Sequence, residues 1–435
     1  MPRPAYRLLD AGGKEIASGN GEPALSDDGF TLLPEGDAAL RWPLTAVVGV
    51  SAADFRLSLA LEDGGTLTIE RLGPVLGDLL GALVEKRNEV WERGLLYRGV
   101  GLVDAFPCEW QRSDGPVRAE LRVYQDRVSL LPSTGDPTGL PLALVSAIDF
   151  DEATWQIAVR PASGPPLVLG KLRQRATEAR DLLQRQLADL RARTAEQLGQ
   201  LLAGVDGLRL QALARLMPDG VAARRADVEA AAPGAWARIE AAVAGQGDRA
   251  AAYRWLAERS PADEVRAGVR LQRPAEDEES GDGPDEAPAV QAATAGDGAA
   301  GDEEPATEEA QQGASPWLTW FLCPLRPELC GGATVLASEV TSEGGHATYL
   351  FRLHPDDGTP AQVAARVNLA MLALGFRRQP IYQTSGDPAA DRWAFALRHR
   401  PELRWLRERF IGRAIHRDPE SWQRRVEALS GGGGR

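Results

Sequence analysis

Two groups of residues in this sequence have types and spacings that could do chemistry. Cys323 and Cys330, separated by six residues, are followed by His346 and His354. Two thiolates and two imidazoles would satisfy the tetrahedral preference of Zn²⁺. The gap departs from the two to four residues of the usual zinc knuckle, and the turn Pro324-Leu325-Arg326-Pro327 between the cysteines offers a competing reading, a pair of buried or surface thiols. The second group is basic. Arg392 to Arg425 contains ten arginines against Glu402, Glu408, Asp418 and Glu420. On a helix, Arg398, Arg404, Arg407 and Arg413 could neutralise phosphates of nucleic acid or an anionic lipid. The competing reading is a solvated face, with Leu403, Leu406, Phe410 and Ala414 packed inward. A third reading lets this face receive the acidic segment upstream in the same chain.

Other catalytic patterns are absent. The sequence has no Gly-x-x-x-x-Gly-Lys, no His-Glu-x-x-His and no Gly-x-Ser-x-Gly. Gly296, Gly298 and Gly301 match a dinucleotide fingerprint, but they lie in an acidic stretch with no strand before them. The four histidines all fall at or after His346, and a Cys–His nucleophile would lack a recognisable third residue or oxyanion loop. No cofactor is expected.

The elements that would position these groups form a separate α+β domain, expected over residues 316–428, with a disordered tail at 429–435. Hairpin strands Val335–Val340 and Ala347–Leu353 flank Ser342-Glu343-Gly344-Gly345. A helix is expected over Pro360–Leu374, strands over Phe376–Tyr382 and Trp393–Arg398, and a helix over Pro401–His416. Upstream, residues 274–315 hold thirteen of the 62 acidic residues and no base, with Val290 as the one large apolar residue. They read as an acidic disordered linker. The net charge of −13 is therefore local, and the remainder is formally neutral. Residues 205–273 read as a small helical module of short antiparallel helices around Leu213, Trp236, Ile239 and Tyr253.

The front of the chain is written twice. Asp28-Gly29-Phe30-Thr31-Leu32-Leu33-Pro34 returns as Asp126-Arg127-Val128-Ser129-Leu130-Leu131-Pro132, and nine positions later Pro43-Leu44 returns as Pro141-Leu142. Phe55 to Leu59 corresponds to Trp155 to Val159, and Leu67-Thr68-Ile69 to Leu167-Val168-Leu169. Each copy alternates short strands with Gly-rich turns and ends in an amphipathic helix, the first from Gly73 with Arg87 on its polar side, the second running from Lys171 to Leu202. This implies two tandem antiparallel β-barrels, each closed by a C-terminal helix, at 1–100 and 101–204.

In element order and helix position, residues 5–95 and 105–200 resemble the pleckstrin-homology superfold in tandem. The resemblance implies binding of a peptide, a protein surface or a phospholipid headgroup. The corresponding first turns, Asp10-Ala11-Gly12-Gly13-Lys14 and Arg112-Ser113-Asp114-Gly115, carry a single cation and an Asp each, which disfavours lipid headgroup binding.

The chain is long enough for about three domains, and 43% apolar content fills several cores. Three cysteines, the absence of a leader-like apolar run and the absence of about 18 consecutive apolar residues suggest a cytoplasmic protein without a membrane span. Arginine in place of lysine, with high alanine, suggests a GC-rich bacterial gene. The expected function is a non-catalytic adaptor or scaffold that binds a protein or peptide partner through the tandem modules. The alternatives are a metal- or thiol-dependent enzyme, or a polyanion-binding helix, in the last domain.

Overall fold

A computed structural model describes residues 3–27, 29–244, 248–271, 317–341, 347–382, 388–416 and 418–431. The acidic stretch 274–315 and His346 lie outside these residues.

Alternation of apolar and polar side chains builds the first sheet, where Leu57, Leu59, Leu67 and Ile69 are wholly buried and their neighbours face out. Its strands are β1 (Ala5–Leu9), β2 (Glu15–Leu25), β3 (Phe30–Pro34), β4 (Leu40–Trp42), β5 (Val47–Ala53), β6 (Arg56–Leu61) and β7 (Thr66–Glu70), followed by helix α1 (Val75–Gly94). The second copy repeats this as β8 (Leu102–Arg112), β9 (Gly115–Tyr124), β10 (Arg127–Pro132), β11 (Thr138–Pro141), β12 (Val145–Asp151), β13 (Gln156–Pro161), β14 (Leu167–Gly170) and α2 (Ala176–Leu201). The orders are β4-β3-β2-β1-β7-β6-β5 and β11-β10-β9-β8-β14-β13-β12, all antiparallel.

Each copy is thus seven antiparallel strands followed by a helix, the element order expected from the sequence. The duplication extends to backbone detail. Both fifth strands shift register at the same place, Val47/Gly49 and Val145/Ala147. Positive φ recurs one hundred residues apart at Phe55 and Trp155 (58° and 55°), at Arg71 and Lys171 (63° and 51°) and at Gly73 and Arg173 (56° each). Non-glycine residues seldom adopt this conformation, so the coincidence reflects one ancestral trace.

Closed barrels are not formed, which corrects the expectation. Strands β4 and β5 do not pair in the first sheet, nor β11 and β12 in the second. A 3-10 turn, Leu44–Ala46 or Leu142–Leu144, separates each pair. In the first copy α1 comes in at that turn, where the Trp91 Nε1–H donates to Leu44 O at 2.9 Å.

The rest of the chain comprises α3 (Gly207–Leu216), β15 (Ala223–Arg224), α4 (Arg225–Ala231), α5 (Ala235–Ala244), α6 (Asp248–Glu258), β16 (Arg266–Leu271), β17 (Trp317–Leu325), β18 (Thr334–Thr341), β19 (Ala347–Leu353), α7 (Pro360–Leu374), α8 (Gln379–Tyr382), α9 (Pro388–His399), α10 (Pro401–Arg409), β20 (Phe410–Ile415) and α11 (Pro419–Gly431). A third antiparallel sheet runs β15-β16-β17-β18-β19-β20. Strands from both sides of the acidic stretch share it, since β16 pairs with β17 from Arg266↔Leu322 to Leu271↔Trp317. The composition-based boundaries at 273 and 316 therefore fall between two paired strands. Two compact units result, residues 1–190 with 365–408 and residues 191–364 with 409–435.

Three further expectations are corrected in the C-terminal region. Neither 376–382 nor 393–398 is extended: residues 379–382 and 393–398 are helical, and in the latter Trp393 and Ala396 recur at helical spacing and are both buried. The helix begun at Pro401 ends at Arg409, and Phe410–Ile415 becomes a strand paired with β19. That partner lies more than fifty residues upstream, beyond the reach of a local pattern.

Candidate peptide-binding edge of the second repeat

The first unit is assembled around the last turns of α1. Arg87, placed by periodicity on the polar side, has no solvent exposure. Its Nε–H donates to Val47 O at 2.7 Å, and its Nη2 donates to Val48 O and Gly135 O, each at 2.8 Å. Nη1 donates to Asn88 Oδ1 at 3.1 Å and to Pro132 O at 3.3 Å. The guanidinium carbon also stands 4.5 Å from the centre of the Trp91 ring. One planar fork thus ties carbonyls of the first repeat to carbonyls of the second. Burial pushes its pKa down to about 10, so the group stays charged at neutral pH. Further along α1, buried Glu92 accepts from Arg122 Nη1 at 2.7 Å and from the Tyr124 hydroxyl at 2.8 Å. Proximity of that carboxylate adds to burial in raising the Tyr124 pKa.

This junction engages the first half of the outer edge of β5. The Val50 N–H donates to Ser133 O at 3.3 Å, and Gly49 bridges Thr134 in antiparallel sense. The loop after β10 therefore bridges that edge in the manner of an added strand at one position, supplied by the chain itself.

The equivalent edge in the second repeat is β12. Ile148 pairs with Val159 as Val50 pairs with Leu59, so the Ile148 N–H is the counterpart of the donor that β5 gives to Ser133. Among the described residues, no strand pairs with the outer edge of β12. Beside it lies an aromatic pair. Phe150 on β12 and Trp155 at the β12–β13 turn meet edge to face, with ring centres 6.0 Å apart. Arg180 of α2 stands 5.1 Å from the Phe150 ring. Trp155 is 55% exposed, and its counterpart Phe55 is 81% exposed. Both sit in the left-handed backbone region, which is costly for a bulky side chain and aims it outward. Asp149, paired with Arg160, and Asp151 place charge along the same strand. Asp151 is held below the usual carboxylate range by hydrogen bonds from the Thr154 hydroxyl and the Ala153 N–H. Such charges guard an open edge against indiscriminate pairing.

The residues singled out in the sequence are distributed as follows. Cys323 is wholly buried on β17, and Cys330 is 2% exposed in a 3-10 turn; both contribute to the core of the second unit. Burial raises both thiol pKa values, which favours the neutral form that does not ligate metal. His354 is exposed at the start of the turn Pro355–Asp357, where its backbone N–H donates to Asp357 at 2.7 Å. His346 lies outside the described residues. Among those residues, no group of three or more His, Cys, Asp or Glu is placed to hold a metal ion. Arg398 lies in the last turn of α9 and donates to Glu62 at 2.7 Å, while Arg407 on α10 donates to Pro380 O at 3.0 Å. Arg404 is exposed on α10, and Arg413 lies on β20 opposite Tyr349. The four arginines therefore lie on three different elements, α9, α10 and β20. No helix among the described residues is long and apolar enough to cross a membrane.

Sequence reasoning missed Arg87, Phe150 and Trp155. A signal for Arg87 was present, because the position one hundred residues on is Leu187, a member of the second helix's apolar stripe. No protein-family model and no curated protein matches the sequence. Among solved structures, the chain is similar to one described as the structure of the Spt16D Pob3N heterodimer. That similarity has 12% identity and a TM-score of 0.15, and spans 39% of this chain and 94% of the other.

Proposed function

We propose that this protein is a non-catalytic adaptor that takes up an extended segment of a protein partner on the β12 edge of its second repeat. The observation that carries the reading is internal. The same edge in the first repeat is already bridged by a segment of the chain itself, while no strand among the described residues pairs with the outer edge of β12, beside the exposed Trp155 and the half-buried Phe150. Backbone hydrogen bonds supply affinity in this mode, and flanking side-chain contacts supply selectivity. The segment best suited to it is extended and proline-free along the strand, with one aromatic or aliphatic residue to rest on Phe150 and Trp155.

Panning a random peptide library against the full chain tests this. Selected peptides are expected to protect the Ile148 amide from hydrogen exchange. They are also expected to lose about thirtyfold in affinity in a Phe150→Lys, Trp155→Ser variant, the loss of a central aromatic anchor. Peptides that bind without protecting that amide, or an inert library, would overturn the reading.

A further inference from the structure

The second unit holds a cavity of about 490 Å³ on the face of the third sheet that looks away from its core. The alternation of the strands explains it. Phe321, Cys323, Leu325, Val335 and Ala337 point into the core, so Leu322, Pro324 and Leu336 point the other way. Leu353 of β19 and Val363 and Ala364 of α7 complete an apolar lining, within the size range of small-molecule sites.

One end of the cavity is charged. Arg266 on β16 lies in register with Leu322 on one side and with Arg224 on the other. Two arginines directly opposite one another on paired strands cost stability. Arg224 is compensated: its Nη2 donates to Asp227 at 2.8 Å and its Nη1 to Glu264 at 3.3 Å. Arg266 is not. Its side chain is 15% exposed, and its one ionic contact among the described residues is Glu264 at 3.7 Å, with no hydrogen bond. Its guanidinium makes no hydrogen bond among the described residues and keeps some solvent contact at the end of the cavity, which Glu264 also lines, so its donors are open to an acceptor there. Burial accordingly lowers its pKa.

We infer that this cavity binds a small carboxylic acid with an aliphatic body, the carboxylate resting on Arg266 and the chain lying over Leu322, Pro324 and Leu336. A carboxylate suits a guanidinium fork because two parallel N–H···O bonds form at once. A peptide suits the cavity poorly. The floor strands β16, β17 and β18 are paired on both sides, so they offer side chains and no free backbone groups, and a peptide's own amides would go unsatisfied.

The test is titration calorimetry on the full chain with octanoate, decanoate and dodecanoate, and with the matching primary alcohols. Saturable binding of the acids is expected, tightening about tenfold with each two-carbon step until the cavity is filled. The alcohols are expected to bind about ten to a hundred times more weakly, the loss of a charge-assisted pair. Arg266→Met should bring the acids down to the level of the alcohols. Thr334→Phe, at an exposed position on the rim, should block both series while leaving the melting temperature unchanged. No saturable binding by any acid would overturn the inference. So would acids that bind no better than alcohols, or binding that survives both variants.

Discussion

Replacing Arg87 by leucine is the most informative single change in the first unit. The substitution installs the residue that the second repeat carries at the equivalent position, Leu187, which packs there at 5% exposure. If Arg87 merely filled the helix stripe, leucine would serve as well. In the structure it does more, because four carbonyls converge on it: Val47 and Val48 from one repeat, Pro132 and Gly135 from the other. The bonds to Val47 and Pro132 are fully buried, and stranding those acceptors costs about 1–3 kcal/mol each. Losing the stack on Trp91 adds about 0.5–2 kcal/mol. Relief of the desolvation of a buried cation offsets part of this. The net expectation is a loss of about 3 kcal/mol. Urea unfolding followed by tryptophan fluorescence reads the loss, and hydrogen exchange at the Val50 amide reads its location, since that N–H is bonded to Ser133 across the same junction. A variant within 1 kcal/mol of the parent, with Val50 protected as before, would refute the assignment of Arg87 as the tie between the repeats.

Two further outcomes are expected. Phe395→Ala should destabilise the first unit by about 3–5 kcal/mol, because Phe395 packs edge to face on Trp91 at 5.0 Å and its removal leaves a cavity beside α1; thermal unfolding measures it. Stability should also fall as pH rises above 9. Burial pushes the Cys108 thiol from 9.0 up to about 12, so between those values the unfolded chain releases a proton that the folded chain keeps, and unfolding is favoured by about 1.4 kcal/mol per pH unit. Cys108→Ala should remove that part of the slope in urea midpoints measured from pH 8 to 11, and an unchanged slope would assign it to other groups.

The strands of the two repeats were legible because each carries its burial pattern locally: Leu57 and Leu59, or Ile157 and Val159, alternate with half-buried or exposed neighbours. Strand β2 was not, since Glu15–Leu25 is mostly exposed and glycine-containing, and owes its conformation to pairing with β1 and β3. The same holds for β20, defined by a partner far upstream. The candidate edge was hidden for a different reason. An edge is a property of what fails to pair, and only the finished sheet order shows that β5 is bridged, whereas no strand among the described residues pairs with the outer edge of β12. Arg87 shows the limit of helical periodicity, which ranks a cation as exposed and cannot foresee carbonyls brought from another repeat.

The division of the chain bears on its synthesis. Residues 365–408 belong with the first 190, yet 174 residues of the other unit are made between them. Trp91 and Leu95 therefore leave the ribosome long before Phe395, the residue that covers them. At elongation rates of about 5–20 residues per second, that apolar surface stays uncovered for roughly 15 to 60 seconds in every nascent chain. A messenger broken anywhere before codon 409 would yield neither unit whole, so truncated products are destined for chaperones or proteolysis instead of persisting as half-active fragments.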